Sequence, residues 1–127
     1  MSDMLEDIWQ RNKLFTETVV KENPRAIEGL DIHSDMFLLW ATVASFVETG
    51  EFAQQLKYKW WGRGNWQLTP EVRERLVEEL IDEQHFIFVR AQALGLTVES
   101  FHAAFIKKND ENWRRYREEI GWRKANP

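Results

Sequence analysis

The stretch Met36-Phe37-Leu38-Leu39-Trp40-Ala41-Thr42-Val43-Ala44-Ser45-Phe46-Val47 decides how this chain folds. Apart from Thr42 and Ser45 it is apolar, and on a helix it is apolar on nearly every side rather than along one stripe. At twelve residues, with acids on both flanks, it falls short of the roughly 18 residues of a membrane span. It therefore predicts a buried central helix. Ser34 is placed to cap that helix and Asp35 to favour its first turn. A helix apolar all round needs cover on several sides, which predicts other helices packed around it.

Moving toward the C-terminus, the same helix carries Glu48 and Glu51 in V-E-T-G-E-F and is expected to end near Tyr58-Lys59-Trp60-Trp61-Gly62. A second acidic pair, Glu79 and Asp82, lies in V-E-E-L-I-D-E-Q-H-F. Each pair is spaced i, i+3, so both carboxylates project from one helix face about a turn apart. Apolar neighbours surround them: Leu38, Leu39, Val43 and Phe46 before the first pair, Leu76, Leu80, Ile81 and Phe86 around the second. Carboxylates beside a core-facing stripe repel one another and resist desolvation unless a cation neutralises them. Two such pairs on facing helices make a set of hard oxygen ligands suited to Mg²⁺ or Mn²⁺. Either pair alone reads more readily as a solvated helix face. Gly50 sits inside the first pair, where Ala would favour a helix by about 1 kcal/mol, so close packing or ligand approach is expected there.

The other elements follow from local signals. A first helix is expected from about Asp3 to Lys21, with Leu5, Ile8, Trp9, Asn12, Phe15 and Val19 on one face. Asn12 interrupts that stripe as either a satisfied core amide or a group aimed at a ligand. The end of this helix is assigned to Glu22-Asn23-Pro24-Arg25, because the residue before a proline leaves the helical region. Trp61-Gly62-Arg63-Gly64-Asn65-Trp66 is a loop by its glycines, with tryptophans that either cap the core or offer a wall for stacking. Thr69-Pro70 starts a third helix running to about Leu94, where Gly95 stops it. Thr97 caps a fourth helix holding Phe101, Phe105, Trp113 and Tyr116. On it Lys108, Asn112 and Arg115 fall on one face, as a phosphate clamp or as cations favoured by the helix C-terminus. Nothing reads as a strand. The expected architecture is all-α, one domain over residues 1–127 with a four-helix bundle-like core.

Composition narrows the classes. A chain that is 43% hydrophobic and 30% charged is an ordinary folded protein. Its formal net charge of −4 argues against a polymeric nucleic-acid partner. With no cysteine, disulfides and thiolate metal sites are excluded. No apolar run is long enough to span a membrane and no signal peptide opens the chain, so the cytoplasm is the expected compartment. A 127-residue chain with an almost wholly apolar second helix is expected to cover it by self-association, as a dimer or a dimer of dimers.

With the acidic pairs and the last helix in view, the chain resembles the dimeric all-α dUTPases and their phage dCTPase-dUTPase relatives, within the MazG-like nucleoside triphosphate pyrophosphohydrolases. The family pattern E-x-x-E, spacer, E-x-x-D is matched by Glu48-Thr49-Gly50-Glu51, residues 52–78 and Glu79-Leu80-Ile81-Asp82. The phrase E-L-x-D-x-x-H-F is matched by E-L-I-D-E-Q-H-F. An F-K-x-W-like segment is matched by Tyr58-Lys59-Trp60-Trp61. K-N-x-x-N-x-x-R is matched by Lys108-Asn109-Asp110-Glu111-Asn112-Trp113-Arg114-Arg115. Departures are Tyr116 where the family's last motif ends in glutamine, Asn12 where a base-contacting glutamine is usual, and a shorter chain.

The resemblance implies hydrolysis of a deoxynucleoside triphosphate to the monophosphate and pyrophosphate, with dUTP the leading substrate. It implies Mg²⁺, or Mn²⁺, held by Glu48, Glu51, Glu79 and Asp82, with Glu48 more than Glu51 orienting the attacking water. It implies phosphate contacts from Lys108, Asn112, Arg115 and Lys59, and nucleoside contacts from Asn12, Trp61, His85 and Asn109. His85 reads equally as a core histidine. Two alternatives stay open: the same chemistry on dCTP, a purine dNTP or a damaged nucleotide, and a non-catalytic bundle that binds a nucleotide or a protein.

Overall fold

The computed structural model describes residues 2–23 and 29–127, with side chains from residue 4 onward in the first stretch. Four α-helices form: α1 (Ser2–Glu22), α2 (Asp35–Gln55), α3 (Pro70–Ala93) and α4 (Val98–Ala125), with a 3₁₀ turn at Trp60–Gly62 between α2 and α3. No strand occurs among the described residues. The all-α class read from the sequence is the class that forms. Among the described residues, no helix is long and apolar enough to cross a membrane.

The helix starts lie where local chemistry places them. Ser34 Oγ accepts from Phe37 N at 3.1 Å and so caps α2. Thr69 Oγ1 accepts from Val72 N at 3.2 Å, with Pro70 at the first position of α3. Thr97 and Ser100 form a reciprocal capping box at the start of α4. Gly95, at φ +80°, supplies the left-handed residue just after α3. The helix end assigned to Pro24 and Arg25 falls partly outside the described residues, although Asn23 N still bonds to Val19 O at 3.1 Å.

Helix α2 stops earlier than the sequence suggests. It ends at Gln55, with Leu56 as cap and Lys57 left-handed at φ 50°, a conformation that costs a side-chain-bearing residue roughly 1–2 kcal/mol. The loop supplies a reason. Trp66 folds back so that its indole Nε1 donates to Gln55 O at 3.1 Å, taking one of the carbonyls that a longer helix would use. The Arg63 guanidinium lies 4.4 Å over the Trp66 ring and holds it there.

The chain divides into two compact units, Met1–Gly95 and Leu96–Pro127. In the first, α3 is the central member and packs on both α2 and α1 in a bundle-like manner. The core joins Trp9 of α1, Ala41 of α2, and Leu76, Phe88, Val89 and Ala91 of α3. The Trp9 and Phe88 rings meet at 5.2 Å. Arg90 Nη2 donates to the buried Ser45 Oγ at 3.2 Å, tying α3 to α2. Not all of the expected α1 stripe enters this core. Trp9 and Asn12 are buried, but Ile8, Phe15 and Val19 stay substantially exposed. Phe15 and Val19 line a cavity instead.

The second unit contains α4, which has no buried residue. Ion pairs along its surface support it. Arg114 bridges Glu111 at 2.7 Å and Glu118 at 2.6 Å, and Arg115 Nε donates to Glu111 at 3.0 Å. These are the i, i+3 and i, i+4 pairs that reinforce a helix with little tertiary cover.

Candidate functional site

Helices α2 and α3 bring the two acidic pairs together. One carboxylate oxygen from each of Glu48, Glu51 and Glu79 lies within 4.8 Å of the others. Asp82, one turn beyond Glu79 on α3, is outside that set but close enough for its charge to act on both Glu48 and Glu79. The electrostatics follow. Burial, and then repulsion from Glu51, Asp82 and Glu79, pushes the Glu48 carboxyl above its ordinary value. Glu79 is raised too, by burial and then by Glu51 and Asp82. No Lys or Arg ion pair engages these acids among the described residues.

Beside the acids is a cavity of about 650 Å³. Helix α1 contributes Asn12, Phe15, Thr16, Val19 and Val20; α2 contributes Phe37, Trp40, Ala41, Ala44 and Glu48; α3 contributes Asp82, His85, Phe86 and Val89. The walls are mostly apolar, with Glu48 and Asp82 among the few polar groups.

Asn12 is the most buried polar residue on that wall, at 2% exposure. Its Nδ2 donates to the His85 backbone carbonyl at 3.2 Å and lies 3.0 Å from His85 Nδ1. A backbone carbonyl only accepts, so it orients the amide and makes Nδ1 the acceptor in an imidazole with its proton on Nε2. Asn12 Oδ1 is left over. Among the described residues two buried side-chain polar atoms have no hydrogen-bond partner, Asn12 Oδ1 and Glu48 Oε2. Both belong to residues lining this one cavity.

The structure distributes the sequence-derived site residues unevenly. Glu48, Glu51, Glu79, Asp82, Asn12 and His85 gather in the first unit around the cavity and the acidic cluster. Trp61 is not a wall of that cavity. It stands 69% exposed in the 3₁₀ turn, edge-on to Trp60 at 5.7 Å. Lys59 is exposed and borders a smaller hollow of about 390 Å³ with Gln54, Lys57, Tyr58 and Gly62. Lys108, Asn109, Asn112 and Arg115 are exposed along α4 in the second unit, where Arg115 is engaged by Glu111.

Sequence reasoning missed Trp40, Phe37 and Phe86 as cavity walls. In a stretch as uniformly apolar as residues 36–47, periodicity does not mark which side chains face a cavity and which face the core.

No family model, curated protein or solved structure matches the chain.

Proposed function

We propose that this chain is a divalent-cation-dependent nucleoside triphosphate pyrophosphohydrolase of the cytoplasm, converting a deoxynucleoside triphosphate and water to the monophosphate and pyrophosphate, with dUTP as the leading substrate. The observation that carries the reading is the pair of orphaned buried oxygens on one cavity. Glu48 Oε2 is buried among clustered carboxylates and Asn12 Oδ1 behind a mostly apolar wall, and both residues line that cavity. Such atoms cost stability unless a ligand supplies what they lack.

The acidic cluster fits a hard cation. Its crowded carboxylates raise the proton affinity of Glu48 and Glu79, and hard oxygen donors are what Mg²⁺ and Mn²⁺ take. Glu48, Glu51, Glu79 and Asp82 would hold it, and when bound it supplies neutralisation of phosphate charge and acidification of water. The protein's own groups do the rest. Glu48, raised in proton affinity and with one oxygen unengaged, takes the proton of the attacking water. The apolar walls exclude bulk water from around the nucleoside. Asn12 Oδ1, fixed as an acceptor by His85, receives a hydrogen bond from the N–H of a base. Lys108, Asn112, Arg115 and Lys59 as phosphate contacts, and Trp61 and Asn109 as nucleoside contacts, rest on the sequence resemblance.

The experiment is pyrophosphate release from dUTP and the four standard dNTPs, with Mg²⁺ and with excess EDTA. Cation-dependent release, abolished in Glu51→Gln, is expected. Turnover undiminished in EDTA, or no cleavage of any triphosphate, overturns the reading. A preference for another base keeps the chemistry and moves the substrate.

A further inference from the structure

Among the polar side chains of the large cavity, Thr16 has no part assigned to it. Asn12 and His85 engage one another, and Glu48 and Asp82 belong to the crowd of carboxylates. A threonine inside a helix ordinarily turns its hydroxyl back onto the carbonyl one turn earlier. Thr42 and Thr49 of α2 do so, donating to Leu38 O at 2.8 Å and to Ser45 O at 3.0 Å. Thr16 is half-buried on the cavity wall, yet its hydroxyl makes no hydrogen bond among the described residues. Nor is that oxygen sealed in, since the buried side-chain atoms without partners are Asn12 Oδ1 and Glu48 Oε2. Thr16 therefore offers the cavity an open group that both donates and accepts.

Contacts between α1 and α3 fix where along the cavity this hydroxyl stands. Trp9 packs on Phe88, and Asn12 bonds to His85. Three residues forward on α1 are thus three residues back on α3, and the two helices run antiparallel. Continued by one turn, that register brings Thr16 level with Ile81 and Asp82, in the turn that carries the second acidic pair. Asn12 lies four residues back, about 6 Å along the helix at 1.5 Å per residue. The wall therefore runs from the Asn12 amide through the Thr16 hydroxyl to the carboxylates. A nucleotide runs in the same order, from base through pentose to phosphate. In a deoxynucleotide the pentose has one free hydroxyl, on C3′, and that is the group a lone threonine hydroxyl between base and phosphates can pair with.

We infer that the Thr16 hydroxyl binds the 3′-hydroxyl of the substrate's deoxyribose and makes the cavity select for it. The inference rests on the nucleotide reading of this cavity, but neither the resemblance nor the acidic cluster points to Thr16. A polar group set against a substrate hydroxyl rejects the analogue that lacks it, because the protein's own group is then left unpaired.

Calorimetric titration in Mg²⁺ with dUMP and with 2′,3′-dideoxyuridine monophosphate tests this without turnover (or with the equivalent pair, should pyrophosphate release favour another base). The wild-type chain should bind the 3′-hydroxyl form on the order of tenfold more tightly. In Thr16→Val, which keeps the shape and loses the hydroxyl, that ratio should fall close to one. Thr16→Ala is a second hydroxyl-free variant with the same expectation, should the valine disturb α1. Thr16→Ser keeps the hydroxyl and should keep the preference. No binding of the 3′-hydroxyl form, equal binding of the two forms by the wild type, or an undiminished ratio in the hydroxyl-free variants overturns the inference. A fall in Tm with the ratio unchanged would make Thr16 a structural residue and overturns it as well. Failure of the hydrolytic reading shows separately, as no pyrophosphate from any triphosphate while the 3′-hydroxyl preference in binding persists.

Discussion

Asn12 does two jobs with one amide. Its nitrogen ties α1 to α3 through His85, and its oxygen is buried without a partner in a residue that lines the cavity. Asn12→Ala should lower stability by about 1–3 kcal/mol, because it removes the amide's hydrogen bonds to the His85 ring and carbonyl in a half-buried site. If Oδ1 also receives a base N–H, the same substitution should raise KM for the nucleotide roughly tenfold and leave kcat nearly unchanged. Thermal melts and steady-state kinetics on the same preparations separate the two jobs. A stability loss with unchanged KM would make Asn12 a structural tie only. The residue was visible in the sequence as a polar break in an apolar stripe. Its partner was not, because His85 lies 73 positions away and no local signal couples the two.

At the level of elements, legibility followed how local the cause was. Ser34, Thr69-Pro70, Gly95 and Thr97 act on backbone groups within three residues, and each marks its helix end as expected. The end of α2 was misplaced because its cause is tertiary: Trp66, eleven residues on, claims the Gln55 carbonyl. The acidic pairs were legible because i, i+3 spacing fixes a shared face. That α2 and α3 set the pairs against each other required the packed structure. Helix α4 shows the opposite problem, a basic row with competing explanations. Arg114 spans Glu111 and Glu118, so Arg114→Ala should lower the helix content of α4 slightly and leave catalysis nearly intact. Arg115→Ala removes a single pair to Glu111. If Arg115 clamps phosphate, that substitution should lower kcat/KM on the order of ten- to a hundredfold. Helix content from circular dichroism beside kcat/KM for each variant checks both. Equal, small effects on kcat/KM would leave Arg115 with its role in the ion-pair ladder alone.

Across the whole molecule, two sets of carboxylates pull stability in opposite directions with pH. Glu48 and Glu79 hold protons in the folded chain at pH values where unfolded glutamates have released them. As pH rises from the ordinary glutamate value through their raised values, the folded state therefore binds more protons than the unfolded one, and stability falls. Glu111 behaves conversely. Hydrogen bonding to Arg114, aided by Arg115, lowers its carboxyl from 4.5 to about 2, so its contribution is present above 4.5 and is lost as pH falls toward 2. A divalent cation bound in the acidic cluster, as proposed, would relieve the first effect and leave the second unchanged. At neutral pH, Mg²⁺ at ten times its dissociation constant should stabilise the chain by about 1.4 kcal/mol, seen as a rise in Tm of several degrees. Near pH 4 protons compete for the same carboxylates, so the increment should shrink. Glu51→Gln should raise Tm without Mg²⁺, by removing one of the repelling charges, and should abolish the increment with it. Glu111→Gln should leave the Mg²⁺ increment intact while flattening the loss of stability in acid. Calorimetry of the three proteins across pH, with and without Mg²⁺, tests these signs together. An increment that survives Glu51→Gln at full size would place cation binding elsewhere on the chain and remove the acidic cluster from the proposed chemistry.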